Sequence, residues 1–517
     1  MSGLAPDRGG PETLRLAEVE VEAQIARLVP EEVARRRLLV PVRLHGGNLE
    51  VAMAAPSDLE AIEEVRYLTG FPVRALAGSL PEIEEVIRRS FGLEHEARQT
   101  VVDLRFESLR QSPGIDGPGG AGAASGDDEE APMARLLSSI LGGAIEGRAS
   151  DIHIEPQRTE TLVRYRTDGV LHEVMTVPSQ VQQALVSRIK LLANLDIAEH
   201  RRPQDGHLSF AHRGRAVDLR ISTLLGTCGE KIVLRVLDEG SLAFDLGDLG
   251  LAGRDLALAE ELLAMPFGMV LSTGPTGSGK TTTLYALLRR LEPAVRNIIT
   301  LEDPVEYRLH QVHQVQVGVP SEVTFARGLR AILRQDPEVI MVGEIRDQET
   351  AEIAIQSAQT GHLLLSTLHT NDASGALTRL VDMGVPPFMV ASALGGVIAQ
   401  RLIRTVCPDC MVEHPATERE LAFLGDHGRP RLVLRHGTGC SFCRGTGYRG
   451  RTGIFEILKT TEPIVEALVR GASAGEIRTR GLAEGMTTLE QGAAAAVLAG
   501  RSTVEEVRRV LGVAARA

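Results

Sequence analysis

A glycine-rich segment near the middle of the chain fits the P-loop pattern GxxxxGK[ST] at every fixed position. It follows a strand-like apolar run and opens a helix-like run, which is the context that this motif needs. The glycines let backbone N–H groups turn inward around a polyphosphate, and the helix N-terminus adds positive potential. The residues expected to bind nucleotide are Gly274, Pro275, Thr276, Gly277, Ser278, Gly279, Lys280, Thr281 and Thr282. Lys280 should reach the β- and γ-phosphates and Thr281 should hold Mg²⁺.

Two later strand-like segments end in carboxylates. The first ends with Glu302 and Asp303 and is followed by Glu306, and the second runs directly into Glu344, where a Walker B acid is expected. A carboxylate at the carboxyl end of a parallel strand faces the nucleotide crevice. One such group can deprotonate the attacking water, and another can bind the waters of Mg²⁺. A solvated acidic turn is the alternative for the first group.

Two histidines flank a further strand-like run at 363–367. His362 precedes the run, and His369 follows it. A single histidine in such a place is more often structural than catalytic. Two histidines beside one strand of the same sheet favour a sensor of the γ-phosphate.

Four of the five cysteines form two CxxC pairs, Cys407 with Cys410 and Cys440 with Cys443. Each pair can chelate one metal from a tight turn, and two pairs make a closed tetrahedral thiolate site. We therefore expect structural Zn²⁺, with surface thiols without metal as the alternative. Four thiolates leave no open position on the metal, which argues against catalytic zinc. The fifth, Cys228, is expected to be a small buried apolar residue.

The composition limits the class of protein. The formal net charge is -12, which argues against a nucleic-acid motor with a basic surface. The first ten residues carry no apolar signal-peptide core. The longest nearly apolar run, 384–399, is too short for a comfortable membrane span and contains two prolines and three glycines. We expect a cytoplasmic protein that reaches a membrane only through a partner.

The sequence predicts three domains and a linker. Residues 1–106 form a first module, and a glycine-rich, acidic segment at 107–131 is expected to be a flexible linker. A second domain spans 132–240. In the third, 241–517, strands alternate with helices, which predicts a parallel sheet with helices on both faces.

Several motifs together resemble one family, the secretion ATPase superfamily. They are "TLEDPVEY", "RQDPEVIMVGEIRD" and "TGHLLLSTLHTNDA" after the P-loop, and "ASDIHIEPQ" and "RYRTDGVL" before it. The resemblance covers about 132–510. "TRLVDMGVPPF", "AQRLIRTVCPDC" and "GCSFCRGTGYRGRTGIFEIL" are most similar to the type II secretion branch, general secretion pathway protein E. Type IV pilus assembly ATPases share the cysteine pairs and are the alternative.

The resemblance implies an α/β fold and a set of roles. A RecA-like P-loop ATPase domain, with a tetracysteine zinc insertion at 405–450, would follow a PAS-like α+β domain and a mobile N-terminal α/β module. Glu306 matches the general base, Glu344 the Walker B acid, and His362 and His369 the His box. The arginines expected to approach the phosphates are Arg220 and Arg235, with Arg330, Arg334, Arg346 and Arg379 at further family positions. For any single arginine, a surface ion pair is the alternative.

The implied function is that of a hexameric, Mg²⁺-dependent ATPase. It would drive type II secretion, through pseudopilus assembly and export of folded proteins across the outer membrane, or else type IV pilus assembly. Residues 1–106 would dock on the cytoplasmic domain of an inner-membrane secretion protein, and an inner-membrane platform protein is a further expected partner. Recruitment to the inner membrane would be peripheral, and no nucleic acid is expected. The competing classes are a nucleotide-dependent switch and a nucleic-acid motor.

Overall fold

The computed structural model describes residues 14, 16, 19 and 21 and the ranges 23–26, 28–45, 47–91, 127–237, 245–318, 323–425, 432–440 and 442–512. The chain divides into two compact units, Met1–Leu237 and Asp238–Ala517. Among the described ranges, none of the helices has the length and apolar character that crossing a membrane requires. The expected linker falls outside the described residues up to position 126.

The N-terminal part of the first unit contains a three-stranded sheet in the order β1-β2-β3. β1 and β2 are antiparallel, and β2 and β3 are parallel. The helix between β2 and β3 begins at the N-cap Asp58, whose side chain accepts a hydrogen bond from the Ala61 amide. The elements are α1 (Ala23–Ala26), α2 (Glu31–Arg37), β1 (Leu39–His45), β2 (Asn48–Met53), α3 (Leu59–Thr69), β3 (Val73–Ala77) and α4 (Leu80–Phe91).

A second, six-stranded sheet follows in the order β6-β5-β4-β9-β8-β7, and all of its pairings are antiparallel. Its apolar face packs against α5 and α6. α5 begins at Asp127, so the acidic run expected in the linker is helical instead, because acidic residue types are favourable at a helix N-terminus. The elements are α5 (Asp127–Glu146), β4 (Asp151–Pro156), β5 (Glu160–Thr167), β6 (Val170–Pro178), α6 (Ser179–Leu192), β7 (Gln204–His212), β8 (Arg215–Gly226) and β9 (Gly229–Leu237).

The second unit is built on a seven-stranded sheet in the order β12-β11-β13-β14-β10-β15-β18. All neighbours are parallel except β15 and β18. Up to β14, its elements are α7 (Gly253–Leu263), β10 (Gly268–Thr273), α8 (Lys280–Arg290), β11 (Ile298–Glu302), β12 (His313–Gln316), α9 (Phe325–Ile332), β13 (Val339–Val342), α10 (Gln348–Gln359) and β14 (Leu363–Leu368). The predicted alternation of strands and helices is therefore present.

The rest of the second unit adds two long strands and a helical end. A two-stranded antiparallel sheet of β16 and β17 lies between the long strands β15 and β18 in sequence. These elements are α11 (Ala373–Asp382), α12 (Pro387–Ala393), β15 (Leu394–Val406), β16 (Met411–Pro415), α13 (Glu418–Leu424), β17 (Val433–Gly437), β18 (Tyr448–Lys459), α14 (Glu462–Val469), α15 (Ala474–Ala483), α16 (Leu489–Leu498) and α17 (Val504–Leu511).

Helices cover both faces of the seven-stranded sheet. Alternate residues of its strands enter two separate cores. Met269 and Leu271 of β10 pack with α9, α10, α11 and α12, whereas Val270 packs with α7 and α8. Strands buried on both faces are continuous apolar runs, which is why four of them were recognisable in the sequence. This arrangement fixes the carboxyl ends of the parallel strands along one edge, where the site is expected.

Candidate nucleotide-binding site and cysteine cluster

The P-loop joins the end of β10 to the start of α8. Gly277 and Gly279 have φ values of +77° and +89°, which only glycine adopts without strain. A Cβ added to Gly274 would lie 2.6 Å from the Gln400 carbonyl oxygen and 2.6 Å from Ser278 Oγ. The loop therefore needs glycine for its turns and for its close contact with β15.

The loop fits a bound phosphate. Lys280 Nζ donates hydrogen bonds to the carbonyl oxygens of Gly274 and Pro275, at 2.9 and 3.2 Å. Burial lowers the pKa of Lys280, an environment in which an anion beside the ammonium is favourable. Ser278 Oγ is buried without a hydrogen-bond partner among the described residues, and no side chain caps the first turn of α8. The Ser278 hydroxyl and the uncapped backbone N–H groups of the first turn of α8 are therefore available to bind a phosphate, as at other helix N-termini.

Glu302 and Glu306 differ sharply in their surroundings. Glu302 is 2% exposed and accepts hydrogen bonds from the Tyr285 hydroxyl, from Thr300 Oγ1 at 2.6 Å and from Gln314 Nε2 at 3.1 Å. Burial raises the pKa of Glu302 despite these donors. Glu306 lies only half-buried in the turn that follows β11. Glu302 is thus a structural residue of the core, whereas Glu306 is accessible to the water that a general base would deprotonate.

Glu344 and His369 meet at the carboxyl edge of the sheet. Glu344 follows β13 and His369 follows β14, and His369 Nε2 lies 3.5 Å from Glu344 Oε2. Burial opposes the charge of Glu344, but its bonds to Arg346 and His369 hold the pKa of this carboxyl below its ordinary value. Glu344 is therefore an anion close to the P-loop lysine, whose charge it favours. A carboxylate and the Thr281 hydroxyl at the start of α8 are the hard oxygen ligands that suit Mg²⁺.

His362 lies at the opposite edge of the sheet. Its carbonyl oxygen accepts a hydrogen bond from the amide of Gly268, which begins β10, whereas the P-loop follows the end of β10. At about 3.3 Å per residue, the length of β14 separates the two histidines by about 20 Å. The expectation that His362 and His369 sense one γ-phosphate is therefore wrong within a single subunit.

The expected arginines occupy different environments. Arg220 of β8 and Arg235 of β9 are direct neighbours in the six-stranded sheet of the first unit. In the second unit, Arg330 forms an ion pair with Glu349 at 2.8 Å, and Arg346 pairs with Glu344. Arg334 and Arg379 are the remaining two, and Arg334 donates to the Arg330 carbonyl oxygen at 2.9 Å.

The four paired cysteines converge on one point. Their sulfur atoms all lie within 4.8 Å of one another. Cys407 Sγ is 3.8 Å from Cys440 Sγ, Cys410 Sγ is 3.8 Å from Cys443 Sγ, and Cys440 Sγ is 3.7 Å from Cys443 Sγ. A tetrahedron of sulfurs about 2.3 Å from zinc has edges of about 3.8 Å. The donor set and its dimensions therefore fit Zn²⁺.

Backbone amides support a thiolate at Cys443. The amides of Cys440 and Gly447 donate to Cys443 Sγ at 3.1 and 3.2 Å. Burial opposes the thiolate, yet these donors lower the pKa of Cys443 to about 7. Cys228, by contrast, is exposed in the turn between β8 and β9, and the expectation of a buried residue is wrong because a two-residue turn leaves it no core to enter.

The sequence model of the "Type II/IV secretion system protein" family matches residues 126–509, more than half of the chain. The chain belongs to this secretion protein family. A second model, that of the MshEN domain, matches residues 10–97. The resemblance stated from the motifs is confirmed.

Full-length relatives carry two kinds of name. The chain is 43% identical over 500 residues to "Type II secretion system protein E" of Pseudomonas aeruginosa, covering 96% of this chain and 99% of the relative. It is 40% identical over 496 residues to "Type II secretion system ATPase E" of Vibrio cholerae, covering 95% and 97%. It is 41% identical over 508 residues to "Type IV pilus assembly ATPase PilB" of Myxococcus xanthus, covering 96% and 88%.

Solved structures agree on the fold. The X-ray structure of the Legionella pneumophila ATPase DotB superposes with a TM-score of 0.54 at 22% identity, covering 72% of this chain and 94% of that one. The Yersinia pseudotuberculosis DotB structure gives a TM-score of 0.54 at 20% identity, covering 73% and 93%. The predicted α/β class of this secretion protein is thereby confirmed.

Two residues of β15 at the site were missed from the sequence. Gln400 donates from Nε2 to the Ser278 carbonyl oxygen at 2.6 Å. Arg401 donates to the carbonyl oxygens of Gln400 and Asn371, at 3.0 and 2.9 Å. Their one signal is a pair of polar residues after a run of apolar ones, and that signal does not say which loop they contact.

Proposed function

We propose that this chain is a Mg²⁺-dependent ATPase that powers type II protein secretion. The observation that carries the proposal is the convergence of four elements at one edge of the seven-stranded sheet. They are the P-loop after β10, the turn after β11 that contains Glu306, the residue Glu344 after β13, and the residue His369 after β14. A protein that only binds nucleotide as a switch has no need for a general base beside a metal-binding acid.

The chemical roles follow from the surroundings of each side chain. Lys280 and the amides at the start of α8 would bind the phosphates, and Thr281 and Glu344 would hold Mg²⁺ and its waters. Glu306 takes the proton of the attacking water. His369 lies beside Glu344 and would face the γ-phosphate of a bound nucleotide. These groups place positive charge and one base where charge moves during phosphoryl transfer.

Arg220 and Arg235 are proposed to complete the site when subunits assemble in a hexamer. Arg235 is anchored by a hydrogen bond from its Nε to Asp151 Oδ1 at 3.3 Å, and 57% of its side chain stays exposed. An arginine held through Nε keeps its two terminal nitrogens in a fork that suits phosphate oxygens. The ion pairs of Arg330 and Arg346 favour structural roles for those two instead.

The remaining proposals concern partners and domains. Residues 1–106 are proposed to dock on the cytoplasmic domain of an inner-membrane secretion protein, with the linker at 107–126 ending where α5 begins at Asp127. The domain at 132–240 precedes the ATPase domain at 241–517 in the chain. The cluster of Cys407, Cys410, Cys440 and Cys443 is proposed to hold a structural Zn²⁺ that closes the insertion at 405–450.

Type IV pilus assembly is the second candidate, because one full-length relative carries that name. Several relatives named for type II secretion match over nearly their whole length, which favours secretion. The test is to delete the gene in its own host and to measure both protein export into the medium and surface pili. We expect export to be lost and pili to persist, with recovery by the wild-type gene but not by Lys280→Ala. Loss of pili with intact export would favour the second candidate.

A further inference from the structure

Gln400 is a buried amide in an otherwise apolar part of β15. The three residues before it, 397–399, are fully buried apolar residues, and Gln400 itself is 1% exposed. An amide that is buried without hydrogen-bond partners destabilises the fold. Both ends of this amide are bonded, since Nε2 donates to Ser278 and Oε1 accepts from Ser272 Oγ at 3.5 Å. Its two partners lie in β10 and in the P-loop that follows it.

The backbone of Gln400 also touches the loop. Strand β15 pairs with β10 up to Ala399 opposite Thr273, so Gln400 lies beside Gly274, the first P-loop glycine. A Cβ on Gly274 would lie 2.6 Å from the Gln400 carbonyl oxygen, and a Cβ on Gly279 would lie 3.0 Å from Gln400 Nε2. One residue thus contacts both ends of the glycine loop.

The hydrogen bond to Ser278 determines how one peptide group is oriented. The Ser278 carbonyl and the Gly279 amide belong to the same planar trans peptide, so they point in opposite directions. Because Gln400 holds the carbonyl on the β15 side, the Gly279 N–H points away from β15. The φ of Gly279 is +89°, which only glycine adopts without strain.

We propose that Gln400 is a positioning residue for nucleotide binding, which fixes the Ser278–Gly279 peptide so that its N–H faces the β-phosphate. The inference rests on the proposed ATPase function and goes beyond it, since Gln400 touches no phosphate itself. Its chemistry is common to ADP and ATP, because both carry a β-phosphate. AMP has no β-phosphate, so its affinity should not depend on Gln400.

The test uses the purified full-length chain with Gln400→Met, which is similar in shape but has no donor. Kd values for ADP, ATP and AMP are measured calorimetrically, ATP in the absence of Mg²⁺, and kcat is measured at saturating Mg-ATP. Losing an aligned donor to a charged group should raise the Kd of ADP and ATP about tenfold. AMP binding and kcat at saturation should stay within about twofold, well below that effect. Gln400→Leu, which also has no donor for the Ser278 carbonyl oxygen, should likewise weaken ADP binding, and it serves if the methionine variant is unstable.

Ile403→Val, a matched control, removes one buried methylene from the same strand. It should lower the melting temperature slightly and leave every Kd unchanged. An ADP affinity of Gln400→Met equal to that of Ile403→Val would overturn the inference, as would equal weakening of AMP and ADP. In both cases the proposed function would still be supported if the wild-type protein binds ADP and hydrolyses ATP. Wild-type protein that binds no ADP would overturn the proposed function together with the inference.

Discussion

The two carboxylates that flank the turn after β11 offer a sharp test of the assigned roles. Glu306→Gln keeps the shape of the side chain but cannot accept a proton, so ATP binding should persist while hydrolysis is lost. Glu302→Gln should keep hydrolysis. Its Oε1 can still accept from Thr300 and Gln314, and its new amide can donate to the Tyr285 hydroxyl in place of the bond it receives now.

The expected magnitudes differ by more than tenfold. A positioned general base contributes about 10²–10⁴-fold to a rate, which corresponds to about 3–5 kcal/mol of activation barrier. Glu306→Gln should therefore lower kcat at least about a hundredfold. Glu302 is 2% exposed, so its oxygens cannot reach an attacking water. Its substitution should cost less than about tenfold, as the loss of one structural hydrogen bond of about 1 kcal/mol would.

The assay is phosphate release by the purified full-length chain at saturating Mg-ATP. Nucleotide affinity and thermal unfolding are measured on the same samples, so that a folding defect is separated from a chemical one. The two variants are matched controls for each other, since each replaces one carboxylate of the same turn by an amide. Normal hydrolysis by Glu306→Gln together with an inactive but folded Glu302→Gln would refute the assignment.

Three further predictions concern metal, assembly and pH. Purified protein should contain about one Zn²⁺ per chain, lost in Cys407→Ser; folded, active and metal-free wild-type protein would reject the site. If Arg220 acts on the site of a neighbouring subunit, mixing inactive Arg220→Ala subunits with inactive Lys280→Ala subunits should restore some ATP turnover. No recovery would show that Arg220 does not act across a subunit boundary. Burial raises the pKa of Glu302, so its contribution to stability is complete below the ordinary carboxyl pKa and is lost as pH rises through the raised value. Calorimetry should therefore find Glu302→Gln gaining stability relative to wild type as pH rises, and a constant difference would contradict this.

The parts of the fold that could be predicted from the sequence are those specified by local pattern. Strands β10, β11, β13 and β14 are short apolar runs because both of their faces are buried, and the P-loop is defined by its own spacing. Strands β15 and β18 were missed. β15 has glycines at 395 and 396 near its start and mixes polar with apolar residues in its second half, so neither alternation nor a simple apolar run marks it.

The roles of residues that depend on contacts with distant parts of the chain could not be predicted from the local sequence pattern. Glu302 and Glu306 look alike in sequence, and it is the burial of Glu302 among three donors that separates them. His362 and His369 flank the same strand, but the ends of a strand lie at opposite edges of a sheet. Gln400 acts through a loop 122 residues away in sequence, which no spacing rule detects.

Steady-state ATP turnover by wild-type protein and by Lys280→Ala tests the central claim most directly. Lys280 is the ammonium of the P-loop, and losing such an electrostatic contact should cost about 10²–10³-fold in kcat. Lys459→Ala, which removes a surface lysine paired with Glu261 at 2.5 Å in the same unit, is the control and should leave turnover unchanged. Wild-type turnover reduced at least about a hundredfold by Lys280→Ala alone is the predicted result. Turnover of Lys280→Ala within about tenfold of wild type would contradict the account.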